Sequence, residues 1–191
     1  MLVEASVYDQ AVTIARETAE QIAVDQPVKE GEHIGPLSSS VQFHKVQGLI
    51  AKGIGEGASL VTGGLGKPEG FEAGYFVKPT IFSQVTSDMA IAQQEIFGPV
   101  LSIIGYQDEQ DAVHISNHSP YGLAAYIQSP DTETAARLAS EISAGSNFIN
   151  GALPDLAAPM GGYKQSGSGR ERGLWGLDEC MEVKAIMGLS E

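Results

Sequence analysis

Eight residues, Gln93–Val100 with the sequence QQEIFGPV, constrain this chain more than any other stretch. Their Gly-Pro pair must end a preceding helix, because proline has no backbone N–H and restricts the residue before it. The apolar run Val100–Tyr106 then predicts a buried strand. A carboxylate, Glu95, and an aromatic ring, Phe97, therefore lie at a helix-to-strand junction, where side chains can reach a cleft.

This pair of side chains suits a dinucleotide. A carboxylate has two acceptor oxygens and can take both hydroxyls of a ribose, and an aromatic ring nearby can pack on a flat nicotinamide. The alternative is that Glu95 is a solvated residue at a helix end and that Phe97 belongs to the core.

Two further motifs carry a family resemblance. KPTIF occupies Lys78–Phe82, and MGGYKQSGSGRERG occupies Met160–Gly173. With EIFGPV, about 65 residues before GGYKxSGxGRE, they make the chain resemble the aldehyde dehydrogenase superfamily from about Val7 to Gly188. The resemblance implies NAD or NADP as cofactor, with Glu95 holding the nicotinamide ribose and Phe97 lying beside the nicotinamide.

The order of elements predicts an α/β fold, a mostly parallel sheet with helices on both faces, in a single domain over residues 1–191. The predicted helices are Val7–Val24, Val41–Ile54, Met89–Ile96, Asp108–His118, Thr132–Ala144 and Leu174–Cys180. The predicted strands are Ser59–Thr62, Tyr75–Val85, Val100–Tyr106, Leu123–Gln128, Ser146–Asn150 and Glu182–Met187. Because Pro79 cannot donate to a ladder, Tyr75–Val85 is expected to be an edge or irregular strand.

The long loop Gly151–Gly173 leaves a strand end, where ligands of parallel sheets bind. The resemblance places part of the aldehyde tunnel here, lined by Met160 with Leu153 and Leu156 as neighbours. The alternative, that these side chains only pin the loop to the core, stays open. Glu171 matches the GRE glutamate of the family, and the resemblance suggests that it supports proton release. A buried structural ion pair with a nearby Arg or Lys is the alternative that we favour.

The sequence provides no catalytic nucleophile. In the family a cysteine thiolate attacks the aldehyde, and both this cysteine and the general-base glutamate precede the segment that the chain resembles. Cys180 is the one cysteine, and its neighbours are acidic, so we interpret it as non-catalytic. Neither GIGEGA nor GGLGK has the strand–loop–helix context of a phosphate site. We therefore expect a fragment that lacks the dinucleotide-binding domain and is inactive alone.

Composition excludes other classes of protein. The formal charge of −13 comes without a basic stripe, which argues against a nucleic-acid partner. No apolar run is long enough to cross a bilayer, the N-terminus has no basic n-region, and one cysteine cannot form an internal disulfide. We expect a cytoplasmic protein without membrane contact. His114 and His118 lack a third ligand, so no metal site is predicted.

The resemblance also implies a homodimer or tetramer that forms through the terminal strand Glu182–Met187. The leading functional hypothesis is therefore part of an NAD(P)-dependent aldehyde dehydrogenase that oxidises an aldehyde to a carboxylic acid. The alternatives are a non-catalytic folding or oligomerisation domain and a weak nucleotide-binding module. Neither the aldehyde nor the choice between NAD and NADP is fixed by these residues.

Overall fold

The computed structural model describes residues 1–188. Internal contacts group the chain into two compact units, Met1–Ala112 and Val113–Glu191, which are described separately below. The single domain over 1–191 stays a prediction. The helices are α1 Tyr8–Gln21, α2 Ser40–Gly55, α3 Ala90–Gln93, α4 Glu109–His118, α5 Thr132–Glu141 and α6 Gly173–Asp178. The strands are β1 Leu2–Glu4, β2 Ser59–Thr62, β3 Thr80–Ser83, β4 Val100–Ser102, β5 Ile104–Tyr106, β6 Tyr121–Gly122, β7 Ala124–Ile127, β8 Ser146–Ile149 and β9 Tyr163–Lys164.

The first unit is built on a three-stranded sheet with β3 in the middle. β3 runs antiparallel to β2 and parallel to β4, and all four of its residues are buried. The prediction of an edge or irregular strand is therefore wrong for β3. Pro79 lies just before the strand, where its missing N–H interrupts no ladder, and the first ladder donor is Thr80.

Helices cover both faces of this sheet. Phe82 is fully buried in a cluster with Val46 and Ile50 of α2. Its neighbour Ile81 points the opposite way, into a second cluster against which Tyr8 of α1 packs. Alternate residues of a strand face opposite sides, so a strand buried on both faces needs apolar side chains, such as Ile81 and Phe82, or hydrogen-bonded polar ones, such as Thr80. Over residues 1–188, three of the five strand pairings are parallel. The predicted α/β class is confirmed.

The chain changes ladders at Ile103. The predicted strand Val100–Tyr106 is two strands, because β4 pairs with β3 whereas β5 pairs in parallel with β1. Ile103 between them is fully buried. The predicted helix Met89–Ile96 is also shorter. α3 ends at Gln93, and Gln94 is already extended with φ −114° and ψ 140°.

The second unit contains a βαβ arrangement in which β7 and β8 pair in parallel and α5 connects them. Asp131 caps α5 by accepting from the Glu133 N–H at 3.0 Å and from the Thr134 hydroxyl at 2.7 Å. These hydrogen bonds, led by the one from the Thr134 hydroxyl, hold the pKa of the Asp131 carboxyl below its usual value. A short antiparallel pair, β6 and β9, anchors the middle of the long loop that was predicted to have no regular structure.

The predicted terminal strand Glu182–Met187 is wrong. Within the described residues this segment pairs with no strand, and its side chains are exposed, Val183 by 97% and Met187 by 89%. Its pattern has the composition of a strand, but a strand needs a neighbour whose backbone groups complete the ladder. Over residues 1–188 no helix is both long and apolar enough to cross a membrane.

The fully buried Phe82 should be the largest single contributor to the core of the first unit. We expect Phe82→Ala to lower the free energy of unfolding by about 3–5 kcal/mol, because it leaves a cavity between β3 and α2. The matched control is Val28→Ala at a side chain that is 91% exposed, which should change stability by less than about 0.5 kcal/mol. Urea denaturation followed by circular dichroism measures both. Equal stability of the two variants would contradict the assignment of the core.

Candidate cofactor and substrate sites

The junction between α3 and β4 holds its residues in an unusual conformation. Ile96 is buried in the core, whereas Phe97, the next residue, is 72% exposed and has φ +57°. A bulky side chain in the left-handed region costs on the order of 1–3 kcal/mol, and such strain is concentrated at functional sites. The alternative that Phe97 belongs to the core is thus wrong, and the ring projects from a strained backbone into solvent.

Contacts from two other elements fix this junction. The Gln42 side-chain amide of α2 donates to the Ile96 carbonyl at 2.9 Å and to the Phe97 carbonyl at 2.8 Å. A Cβ added to Gly98 would lie 2.8 Å from Val46 Cγ2, so only glycine fits against α2 here. The Thr80 N–H donates to the Pro99 carbonyl at 2.9 Å, which joins the junction to β3. The exposed residues therefore stand on a rigid base.

Glu95 lies beyond the end of α3 rather than within it and is exposed. No described side chain donates to its carboxylate or forms an ion pair with it. Gln94, Ile96 and Phe97 line a groove of about 350 Å³ that continues along β4. Glu95 itself does not line this groove. An acceptor-only group without a protein partner, two residues before an exposed aromatic ring, has the chemistry to bind a diol while the ring packs on a flat heterocycle.

The predicted substrate residues lie in the second unit. Leu153 and Met160 line one cavity of about 560 Å³ together with Tyr126 and Phe148, whose rings stack at 5.0 Å. Leu156 is 74% exposed and is not among the residues that line this cavity. Leu153 is 87% exposed and Met160 39%, so these side chains do not pin the loop to a core. The structure thus brings two of the three predicted residues together.

Glu171 is exposed, so the favoured interpretation of a buried ion pair is wrong. Its backbone has a structural role, because Glu171 and Met160 exchange two N–H···O=C hydrogen bonds of 2.7 Å. Arg170 is the more strongly tied neighbour: its guanidinium donates to the Gly162 carbonyl at 3.1 Å and the Gly169 carbonyl at 2.8 Å, and it lies over the Tyr163 ring. These bonds close the GGYKQSGSGRE loop on itself. A proton-release role for Glu171 stays a prediction.

Two polar residues of these sites were not predicted from the sequence. Gln42 follows Ser39 by three residues, a capping-box spacing that would have drawn attention to it, although its side chain serves another purpose. Asn147 lines the second-unit cavity, and its Oδ1 is buried without a hydrogen-bond partner among the described residues. No sequence signal marks Asn147, since its place in the cavity wall depends on how the loop after β8 folds.

The remaining cysteine and histidine side chains singled out in the sequence belong to neither of these sites. Cys180 is an exposed free thiol just after α6. His114 and His118 stack on α4 with their ring centroids 6.1 Å apart. Over the described part of the chain, no group of three or more His, Cys, Asp or Glu side chains could hold a metal ion.

Comparison with known proteins gives one consistent result. Residues 1–186 match the model of the aldehyde dehydrogenase family. A 3-succinoylsemialdehyde-pyridine dehydrogenase from a Pseudomonas species is 48% identical over 98% of this chain and 39% of its own length. An aldehyde dehydrogenase C mutant from Pseudomonas syringae, solved with NAD+ and octanal, is 45% identical with a TM-score of 0.94, over 97% of this chain and 38% of its own. An aldehyde dehydrogenase from Mycobacterium tuberculosis, solved with NAD+, is 42% identical with a TM-score of 0.92, over 100% of this chain and 40% of its own. The chain thus spans about two fifths of the length of these relatives.

The close approach of Gly98 to Val46 can be tested by a double-mutant cycle. We expect Gly98→Ala to cost about 1–3 kcal/mol of unfolding free energy, because the new methyl overlaps Val46. In the background of Val46→Ala, where the overlapping methyls are gone, Gly98→Ala should cost less by 1 kcal/mol or more. Denaturant titrations of the four proteins measure the coupling. Strict additivity would show that the junction does not rest on α2.

Proposed function

Since the chain belongs to the aldehyde dehydrogenase family, we propose that it supplies the nicotinamide-ribose contact and part of the aldehyde pocket of an NAD(P)-dependent enzyme that oxidises aldehydes to carboxylic acids. The observation that carries the proposal is the junction after α3, where a carboxylate without a protein partner stands two residues before an exposed ring at φ +57°. The relatives solved with NAD+ support the identity of the cofactor.

The junction residues fit this cofactor by their chemistry. Both Glu95 oxygens are available to accept from the two ribose hydroxyls, because no described residue competes for them. Phe97 offers a ring face that water would otherwise cover, and the strain at its backbone is maintained by Gln42, Gly98 and the buried Ile96. A bound NAD or NADP would supply the acceptor for a hydride from the substrate. The chain's own residues hold and orient it: Glu95 fixes the sugar, and Phe97 excludes water from one side of the ring.

The second part of the proposal concerns the aldehyde pocket. Leu153 and Met160 form its walls, and Leu156 lies on the same loop. The stacked Tyr126 and Phe148 rings and the two apolar side chains make the cavity suitable for an apolar or aromatic aldehyde chain. The relative solved with octanal supports an apolar substrate of this kind. The same loop holds Glu171, whose exposed side chain is proposed to support proton release.

Neither candidate site has a thiol among the described residues that line it, because Cys180 lines neither cavity. We therefore propose that the 191-residue chain does not turn over aldehydes by itself. It retains contacts to the nicotinamide half of the cofactor, and on this proposal it should bind NAD more weakly than 1 mM.

Cofactor binding can be tested by saturation-transfer NMR with NAD at millimolar concentrations. We expect transfer to the nicotinamide and its ribose protons, reduced by at least half in Glu95→Gln and in Phe97→Ala. The matched controls are Glu20→Gln on α1 and Trp175→Ala, an aromatic side chain that is 59% exposed in the other unit. Transfer that is equal in all five proteins would contradict the assignment of Glu95 and Phe97.

Activity provides a separate test. We expect no NADH production from NAD with a panel of apolar and aromatic aldehydes, because neither site contains a thiolate. The panel should be repeated with Cys180→Ser. Turnover that survives Cys180→Ser but is abolished by Glu95→Ala would show that the chain holds a different nucleophile.

The segment Glu182–Met187 supports self-association as a further part of the proposal. Val183 and Ile186, 97% and 70% exposed, lie in a segment without a strand neighbour among the described residues, and an exposed strand-like segment can pair with the sheet edge of a second copy. We expect dimers or tetramers in sedimentation velocity at tens of micromolar.

The double variant Val183→Lys with Ile186→Lys should shift the population toward the monomer, because charge disfavours strand pairing. The control Val28→Lys, at an equally exposed loop position, should leave it unchanged. A wild-type chain that stays monomeric would contradict the interface.

A further inference from the structure

We propose that Gln42 is a positioning residue for the nicotinamide contact: its side-chain amide holds Phe97 in the left-handed conformation from which the ring projects. The Gln42 Nε2 lies 2.9 Å from the Ile96 carbonyl and 2.8 Å from the Phe97 carbonyl. One NH2 group thus uses both of its protons on consecutive carbonyls 54 and 55 residues away in the sequence. The cofactor part of this inference rests on the proposed function, whereas the backbone part does not.

The geometry of two consecutive carbonyls explains the effect. In an extended chain, successive peptide groups point to opposite sides, so one donor group cannot reach both oxygens. A turned conformation at Phe97 directs them the same way, and the observed φ of +57° is such a turn. The two hydrogen bonds therefore exist only while Phe97 stays out of the extended region, and they stabilise the strained state against it.

Gln42 is available for this purpose because the start of α2 is satisfied without its side chain. In a capping box, the glutamine three residues after the N-cap reaches back to the N-cap N–H. Here the Ser39 hydroxyl accepts from the Gln42 N–H at 3.2 Å, but the Gln42 side chain leaves the helix end and bonds across to the junction. A residue type that usually serves its own helix instead connects α2 to the junction between α3 and β4.

The direction of the Phe97 side chain follows from its backbone. Moving φ from the left-handed to the extended region swings Cβ to another side of the chain, because Cβ is fixed relative to the backbone N and C. Without the Gln42 amide, the Phe97 backbone would relax to a less strained region. The ring would then point in another direction from the junction. On the proposed function, the loss appears as weaker nicotinamide binding, although Gln42 itself need not touch the cofactor.

The first experiment reads the backbone by NMR of the full chain. A residue at φ near +57° has a short distance between its own amide and α protons, so its intraresidue NOE is strong. We expect this signal at Phe97 in the wild type and a loss of at least half in Gln42→Met, which keeps the length of the side chain and removes both donors. Gln47→Met is the matched control: Gln47 lies on the same helix, and its Oε1 accepts from the Gly66 N–H instead. An unchanged signal in folded Gln42→Met would overturn the proposal.

A measurement on the wild type keeps the proposal testable if Gln42→Met does not fold. Side-chain amide protons that donate to two backbone carbonyls, the bond to Ile96 being part-buried, exchange with solvent more slowly than free ones. We expect the Gln42 amide protons to exchange at least tenfold more slowly than those of Gln10, an exposed glutamine on α1. Equal exchange rates would show that the two hydrogen bonds are not maintained in solution and would overturn the proposal.

The second experiment separates this inference from the proposed function. We expect Gln42→Met to weaken the binding of NAD about three- to tenfold, the loss expected when a positioning hydrogen bond is removed. If Phe97→Ala leaves NAD binding unchanged, the proposed function fails, while the NOE still decides the backbone role of Gln42. If Phe97→Ala abolishes binding and Gln42→Met alters neither the NOE nor the affinity, the proposed function stands and the role of Gln42 is refuted.

Discussion

Burial of β3 on both faces is the constraint on which the first unit depends. Four consecutive residues are buried, so each must find an apolar neighbour or a hydrogen bond. Ile81 and Phe82 meet the α1 side and the α2 side, respectively, while the Thr80 hydroxyl donates to the Lys78 carbonyl at 2.8 Å and accepts from the Gly64 N–H at 3.0 Å. Because β4 pairs with this strand in parallel, the start of β4 has a fixed position, and so does the junction just before it.

The junction shows how a rigid core can hold an unfavourable conformation at the surface. Ile96 is inside, Phe97 is outside, and Gly98 is pressed against Val46, all within three residues. If these anchors were absent, the backbone at Phe97 would adopt one of the common regions at lower energy. The strain is local and the stabilisation is distributed over α2, β3 and β4, which is the arrangement expected where an exposed ring must keep its direction.

Sequence patterns predicted the elements whose residues are decided locally or by simple periodicity. β2, Ser59–Thr62, has the predicted bounds, and α2 differs by one residue at each end, because an N-cap serine and a clear apolar face define it. Patterns failed where tertiary pairing decides. Pro79 suggested an edge strand, yet β3 is central. Pro79 precedes the first residue of β3, so its missing N–H removes no hydrogen bond from the sheet. Glu182–Met187 has strand composition but no neighbour. Gln42 could not be assigned, since nothing in the helix start shows that its side chain bonds to residues 54 and 55 positions later.

On the proposed function, the distribution of chemistry along the chain would allow cofactor contacts without turnover of an aldehyde. Holding a ribose and a nicotinamide needs an acceptor, a ring and a stiff backbone, and the residues around Glu95 supply all three within one junction. Oxidising an aldehyde needs in addition a nucleophile at the reacting carbon, which must come from a thiolate or an equivalent group. The one thiol, Cys180, is exposed after α6 and lines neither candidate cavity. Binding geometry and bond-making chemistry are therefore separable in this fold. The pairing of β3 with β4 fixes the position of the binding residues, whereas the reaction requires in addition a nucleophile at the carbonyl carbon of the aldehyde.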